Sequence, residues 1–232
     1  MKSVQKTLLA SLLLGASTAA THAAVLYHLT GPQLVNEANL SLSPGVSRDN
    51  SATGTLYFRY TVTNPASNST TENYFAGLQF YESGSERLGI GNTWDFYAYS
   101  AFATVGGDRD LRSANPDGTN GSGDPYQLVE STDITTIVFR VDYVNGGDDT
   151  ITVWLNANLG LTEAAQSSSL TTNFFANATF TDMILREGGG GSGWTFSDVA
   201  IAESFSEIAA IPETSSALLG AFGLIGLLRR RR

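Results

Sequence analysis

The stretch from Thr104 to Tyr126, TVGGDRDLRSANPDGTNGSGDPY, places hard oxygen ligands at short intervals: Asp108, Asp110, Asn115, Asp117, Asn120 and Asp124. Calcium takes about six to eight carboxylate, amide and carbonyl oxygens, and a glycine-rich loop can turn sharply enough to converge several of them. Asp108, Asp110, Asp117 and Asp124 are therefore candidate calcium ligands, with calcium the implied cofactor. Their register is not the Asp-x-Asn-x-Asn-Gly of a helix-loop-helix site. Asp, Asn and Gly are also the ordinary residues of solvated turns, so both readings stay open. Tyr97, Tyr99 and Tyr126 flank the same loop. Aromatic faces stack on the apolar face of a pyranose while nearby acids and amides bond its hydroxyls, which makes these tyrosines candidates for glycan binding.

Other chemistries find less support. With no cysteine, and with His22 lying in the leader described below, His28 alone is left to serve zinc or a Ser-His-Asp relay; the usual zinc ligand sets are excluded. No catalytic residue is assigned, and the chain is read as a non-enzyme.

The 232 residues carry 13 Lys+Arg and 22 Asp+Glu. Ala24 to Pro212 holds seven of the basic residues, all Arg, and 21 of the acids, so this body carries a net charge of −14. Such a surface repels nucleic acid and anionic lipid and can collect divalent cations.

The elements that must hold these side chains read as strands. In TGTLYFRYTVTN (53–64), Leu56, Phe58, Tyr60 and Val62 take one face, and Tyr57, Arg59, Thr61 and Thr63 the other. Similar segments are expected at 24–30, 73–81, 86–92, 94–102, 126–131, 135–144, 149–157, 178–187 and 194–204, separated by Gly, Asn, Asp and Pro clusters. Asn145-Gly146-Gly147 predicts a tight hairpin. Two long polar stretches, 104–126 and 158–173, interrupt the strands and are where a site is expected. The fold class is all-β, an antiparallel β-sandwich over 24–209, with Trp154 in its core.

Both ends carry a different signal. Lys2 and Lys6 precede an apolar run to Ala20 and small residues to Ala23, the pattern of a secretory signal peptide over 1–23 with a signal helix. Residues 210–232 read AIPET at their start and are basic at their end: Pro212, Glu213 and Thr214, an uncharged segment 215–228, then Arg229, Arg230, Arg231 and Arg232. That segment is a short transmembrane helix, below the ~20 residues that span comfortably, with its arginines inside. Gly220, Gly223 and Gly226 form a small-residue face for another membrane helix.

The strand order, with GTLYFRYTVTN, YFAGLQF, RLGIGN, ITTIVFRVDYVNGGDDTITVWLN and the late Ser197-Asp198-Val199-Ala200-Ile201 segment, resembles the concanavalin A-like lectin/glucanase jelly rolls, particularly laminin-G-like versions. The resemblance implies a jelly-roll fold and a glycan-binding or structural role. The Glu-x-Asp-x-x-Glu strand that the family's glucanases share is absent, and Glu130-Ser131-Thr132-Asp133 does not replace it. A polysaccharide hydrolase with an unrecognised carboxylate pair is the alternative. The C-terminus resembles a PEP-CTERM sorting signal, with Thr214 where a second proline usually stands. This likeness implies export from a polysaccharide-producing Gram-negative cell, signal peptidase and an exosortase as processing partners, transient anchoring in the inner membrane, and delivery to the surface or the exopolysaccharide matrix. No nucleic acid partner is expected.

Overall fold

The computed structural model describes residues 24–35, 39–63, 75–92, 99–105, 108–110, 134–166, 171–188 and 193–211. Among these, β1 (Val25–Leu29), β2 (Gln33–Val35), β3 (Asn39–Leu42), β4 (Gly54–Thr63), β5 (Phe75–Glu82), β6 (Ser85–Asn92), β7 (Tyr99–Val105), β8 (Asp108–Asp110), β9 (Ile134–Tyr143), β10 (Asp149–Leu155), β11 (Thr171–Ala176), β12 (Asp182–Gly188) and β13 (Trp194–Ala202) precede a short helix, α1 (Phe205–Ala210). A seven-stranded sheet runs β1-β13-β4-β9-β10-β11, with β2 also on β13, and a six-stranded sheet runs β3-β12-β5-β6-β7-β8. Every recorded pairing is antiparallel, so the chain is an all-β sandwich of two antiparallel sheets.

The sheets meet over rings. Phe58 stacks on Phe139 at 4.7 Å, and Phe80, from the other sheet, packs 4.9 Å from Phe58 and 4.7 Å from Phe180. The buried Tyr60 hydroxyl reaches across the layers and donates to the carbonyl of Ile90 at 2.5 Å. A buried phenol needs such a partner, and this one ties the sheets together. Where β5 meets β6, Gly77 lies opposite Gly91, and a Cβ at Gly77 would stand 2.2 Å from the Ile90 carbonyl oxygen. Only glycine permits that approach.

The expected 145–147 hairpin forms between β9 and β10, with Gly146 at φ 70°. Beside it, buried Asp149 accepts from the amides of Val144 (2.9 Å) and Ala178 (2.8 Å). Loss of solvent raises its pKa even so.

Four expectations need correction. First, β4, expected as a half-buried strand with one face toward solvent, is buried on both faces: Tyr57 (8% exposed), Arg59 (0%) and Thr61 (8%) are not open to solvent. Second, 158–173 is not one polar loop, since it contains a 3-10 turn, Glu163–Ala165, and the start of β11. Thr-Thr-Asn-Phe-Phe has no clean polar/apolar alternation to mark the strand, and among the described residues β11 pairs only with β10. Third, Phe205, the aromatic that the jelly-roll likeness expects after the last strand, opens a helix. Ser204 caps a helix there, its Oγ accepting from the Glu207 amide and donating to that carboxylate, a reciprocal cap for a single turn and a half. Fourth, several strand bounds shift: of the strand expected at 94–102, residues 94–98 lie outside the described residues and the rest belongs to β7, which runs on to Val105; 178–187 begins at Asp182, while β2, β3 and β8 are not anticipated because each has only three or four residues. The 126–131 segment lies outside the described residues. Among the described residues no helix is long and apolar enough to cross a membrane. Residues 1–23 and 212–232, which carry the expected signal and tail helices, lie outside them.

Candidate functional site

Strand register sorts the outer face of the seven-stranded sheet into rows. One row reads Ala200, Arg59, Val138, Trp154 and Thr171; the next Ala202, Tyr57, Arg140, Thr152 and Asn173; the third Thr55, Asp142, Thr150 and Phe175. A left-handed backbone at Asp198 (φ 54°) makes this possible, because the bulge between Ser197 and Ala200 turns Val199 and Ile201 into the core and leaves Ala200 and Ala202 outside.

The first row is closed. Phe205, Ile208 and Ile211 pack on Tyr57, Val138, Trp154, Ala200 and Ala202 as a second apolar cluster, with Phe205 edge-on to Trp154 at 5.8 Å. Fully buried Arg59 donates through Nη1 to the carbonyls of Ile208 (3.2 Å) and Ile211 (2.8 Å). Those carbonyls end α1, where a cation is favoured, although a helix this short has little dipole and the bonds matter more.

The second row is bridged. Glu163, carried by the 3-10 turn, accepts from the Tyr57 hydroxyl at 2.7 Å and pairs with Nη1 of Arg140. Arg140 Nε also donates to Asp142 at 2.9 Å, and Thr55 donates to the other oxygen of Asp142 at 2.8 Å. Burial, then the bond to Glu163 and its charge, push the Tyr57 hydroxyl up to about 12. Burial disfavours the Arg140 cation, but Glu163 and Asp142 outweigh it and raise its pKa.

The third row is open, and Phe175 stands on it 67% exposed. Phe175 lies two strands from Asp142, roughly 10 Å by strand spacing. An uncovered ring thus shares a face with a fixed carboxylate, a guanidinium and the Thr150 hydroxyl.

A pocket of about 220 Å³ adjoins the closed row, lined by Trp154, Leu155, Asn156, Ala157, Asn158, Leu161, Ala165 and Gln166. Its walls are set by their own bonds. Asn156, at φ 48°, turns the chain out of β10 while its side-chain oxygen accepts from the Thr136 amide at 3.1 Å. Gln166 closes the loop by accepting from the Asn158 amide and donating to the carbonyls of Asn158 and Thr162. This pocket borders the polar stretch 158–173. A second pocket of about 320 Å³, between residues 42–47 and Thr181-Asp182, lies at the β3 side of the other sheet.

The candidate residues from the sequence distribute differently. Tyr99 opens β7, and Asp108 and Asp110 form the ends of β8, all in the six-stranded sheet. Tyr99 pairs with Asn92, whereas Asp110 and Asp108 pair with Ala103 and Val105. Four to six residues of β7 therefore separate Tyr99 from these acids, roughly 13–20 Å. Tyr97, Tyr126, Asp117, Asp124, Pro212, Glu213, Thr214 and Arg229 to Arg232 lie outside the described residues. Among the described residues no three His, Cys, Asp or Glu side chains group as a metal site. His28 sits in edge strand β1, its Nε2 buried and, among the described residues, without a hydrogen-bond partner. Phe175 escaped the sequence reading because nothing in Asn-Phe-Phe-Ala tells which ring is uncovered.

No family model matches the chain, and no curated protein matches it. Among solved structures it is similar to a galectin of Caenorhabditis elegans (13% identity, TM-score 0.39, covering 74% of this chain and 94% of the galectin). It is also similar to an endo-β-1,4-glucuronan lyase of the fungus Trichoderma reesei (8%, 0.41, covering 79% and 78%). A third likeness is to a fructofuranosidase of Schwanniomyces occidentalis (12%, 0.43), where the match covers 78% of this chain and 34% of that protein. At these scores the likenesses carry no argument about activity, and the fold rests on the two sheets themselves.

Proposed function

We propose that the chain is an exported glycan-binding module that does not turn its ligand over. The observation that carries this reading is the open row on the seven-stranded sheet, where Phe175 is exposed beside Thr150 and the fixed Asp142–Arg140 pair. An apolar ring face bounded by ordered acceptors and donors suits a pyranose, whose faces are apolar and whose edges are hydroxyls. The oxygens of Asp142 and Glu163 are engaged by Thr55, Arg140 and Tyr57, which favours binding over acid catalysis by this pair. The sandwich itself fits the concanavalin A-like class expected from the sequence. In the same reading, Tyr97, Tyr99 and Tyr126 form a second aromatic patch, and Asp108, Asp110, Asp117 and Asp124 take calcium. Export runs through the signal peptide and the PEP-CTERM-type tail, ending at the cell surface or in exopolysaccharide.

A polysaccharide array run with calcium and with chelator tests the binding. The wild-type chain should bind at least one acidic or neutral polysaccharide, and Phe175→Ala should weaken that binding about tenfold, the scale of one aromatic stacking contact. Absence of binding to every polysaccharide, or release of reducing ends from any, overturns the reading. Intact mass of the protein from its native cell tests the export route: loss of 1–23 and of the segment after Pro212 supports it, and retained arginines refute it.

A further inference from the structure

Among the described residues the sandwich has four strand edges, and three of them carry a recognised protection against pairing with another chain. One edge is split between β2, of three residues, and β1, whose register is broken by a bulge between Val25 and Tyr27. The β3 edge is four residues long. The β8 edge has three residues, and all of them are charged: Asp108, Arg109 and Asp110. Short strands, bulges and charges are the devices that keep exposed backbone donors and acceptors from recruiting a neighbour.

The fourth edge, β11, has none of these. Its six residues pair with β10 in unbroken register from Thr171 to Ala176, and among the described residues no strand pairs with its other side. Thr, Asn, Phe and Ala fill it, without proline. It lies inside an uncharged run of eighteen residues, Ala164 to Thr181, in a chain of net charge −9. Two such acidic bodies repel over most of their surfaces, and this strip is where they approach without opposing charges. Glu163, at its upstream end, is already paired with Arg140.

We infer that β11 is a self-association edge, on which the β11 strand of a second copy pairs antiparallel about a two-fold axis. The two seven-stranded sheets then continue into one. An uncharged strip needs an uncharged partner, and an isologous contact supplies the same strip from the other copy. Each strand is roughly 20 Å long, so the interface is small and the dimer is a weak one whose population follows protein concentration. Added salt strengthens it by screening the repulsion between the bodies. This inference rests on the backbone edge of β11 and does not depend on glycan binding by the sheet face.

Sedimentation equilibrium of the full-length chain, run beside Asn173→Lys in the same buffer, is the test. Lysines brought face to face across the two-fold disfavour pairing, so at high concentration the wild type should show twice the mass of the variant. A wild-type chain that stays monomeric overturns the inference. Equal masses for a larger wild type and the variant also overturn it, because association then lies elsewhere, the apolar tail included. Hydrogen exchange of the wild type gives a second reading that needs no variant: protection of the amides from Thr171 to Ala176 should rise with concentration. Protection independent of concentration overturns the inference. Phe175→Ala, which leaves the strand edge intact, should keep the doubled mass even where it loses polysaccharide.

Discussion

On the outer face of the seven-stranded sheet, Phe205, Ile208 and Ile211 of the C-terminal segment come back over β4 and β10, with Ala157 and Leu159 beside them, and Arg59 is completely buried there. On the outer face of the six-stranded sheet, β5, β6 and β12 present polar side chains that bond one another. There Gln79, also without exposure, donates to Glu86 at 2.7 Å and accepts from Tyr81 at 3.2 Å and Arg186 at 3.5 Å. The first solution adds a second apolar cluster and makes a charge part of the fold. The second leaves Arg186 a quarter exposed, 4.0 Å from Glu86. A side chain held by packing and buried bonds couples to global stability, whereas the partly exposed partners of Gln79 can exchange their bonds with water.

That contrast can be broken in a graded way. Arg59→Ala, which removes a fully buried cation and leaves two helix-end carbonyls without their donor, should lower the unfolding free energy by about 4 kcal/mol in urea titration. Phe205→Ala should follow at about 3 kcal/mol, since its ring packs on both Tyr57 and Trp154. If either variant matches wild type, the C-terminal clip is not part of the cooperative fold. Gln79→Ala, on the opposite face, should lose only about 1–2 kcal/mol. A loss as large as that of Arg59→Ala would erase the proposed difference between the faces. Phe175→Ala should change stability by less than about 0.5 kcal/mol, because the ring is mostly exposed, so any loss of binding it causes is not a folding defect.

A pH measurement sharpens the same comparison. Tyr57 holds its proton to about 12, above the ordinary tyrosine value of 10.0, chiefly through burial and then through Glu163. Between roughly pH 10 and 12 the folded chain binds more protons at this site than the unfolded one, so stability from it is complete below 10 and is lost as pH rises through 12. Tyr57→Phe should therefore show a shallower loss of stability over that interval in denaturant titrations. Equal slopes would mean that the contact with Glu163 is not maintained in solution.

The strand class was readable because alternation survives wherever one face of a strand meets the core: Leu56, Phe58, Tyr60 and Val62 all face it as their spacing implies. The turn at 145–147 was readable because Asn and Gly accept left-handed backbone. The other face of β4 was not readable. Tyr57 and Arg59 look like solvent positions by local pattern, and only chain about 150 residues later covers them. The aromatic candidates show the same limit, since exposure depends on which strand ends a sheet. Phe175 is open because β11 has no further neighbour among the described strands, and that is a property of topology.

Composition and periodicity by themselves determined an acidic, cysteine-free, all-β chain with a tight hairpin after β9, because charge, turn preference and two-residue alternation act over a few residues at a time. Which outer face is closed, which carboxylates share Arg140, and which edge is left unguarded were decided only by the tertiary structure. Those outcomes depend on strands far apart in the chain being brought into register, and no local pattern encodes a neighbour's distance.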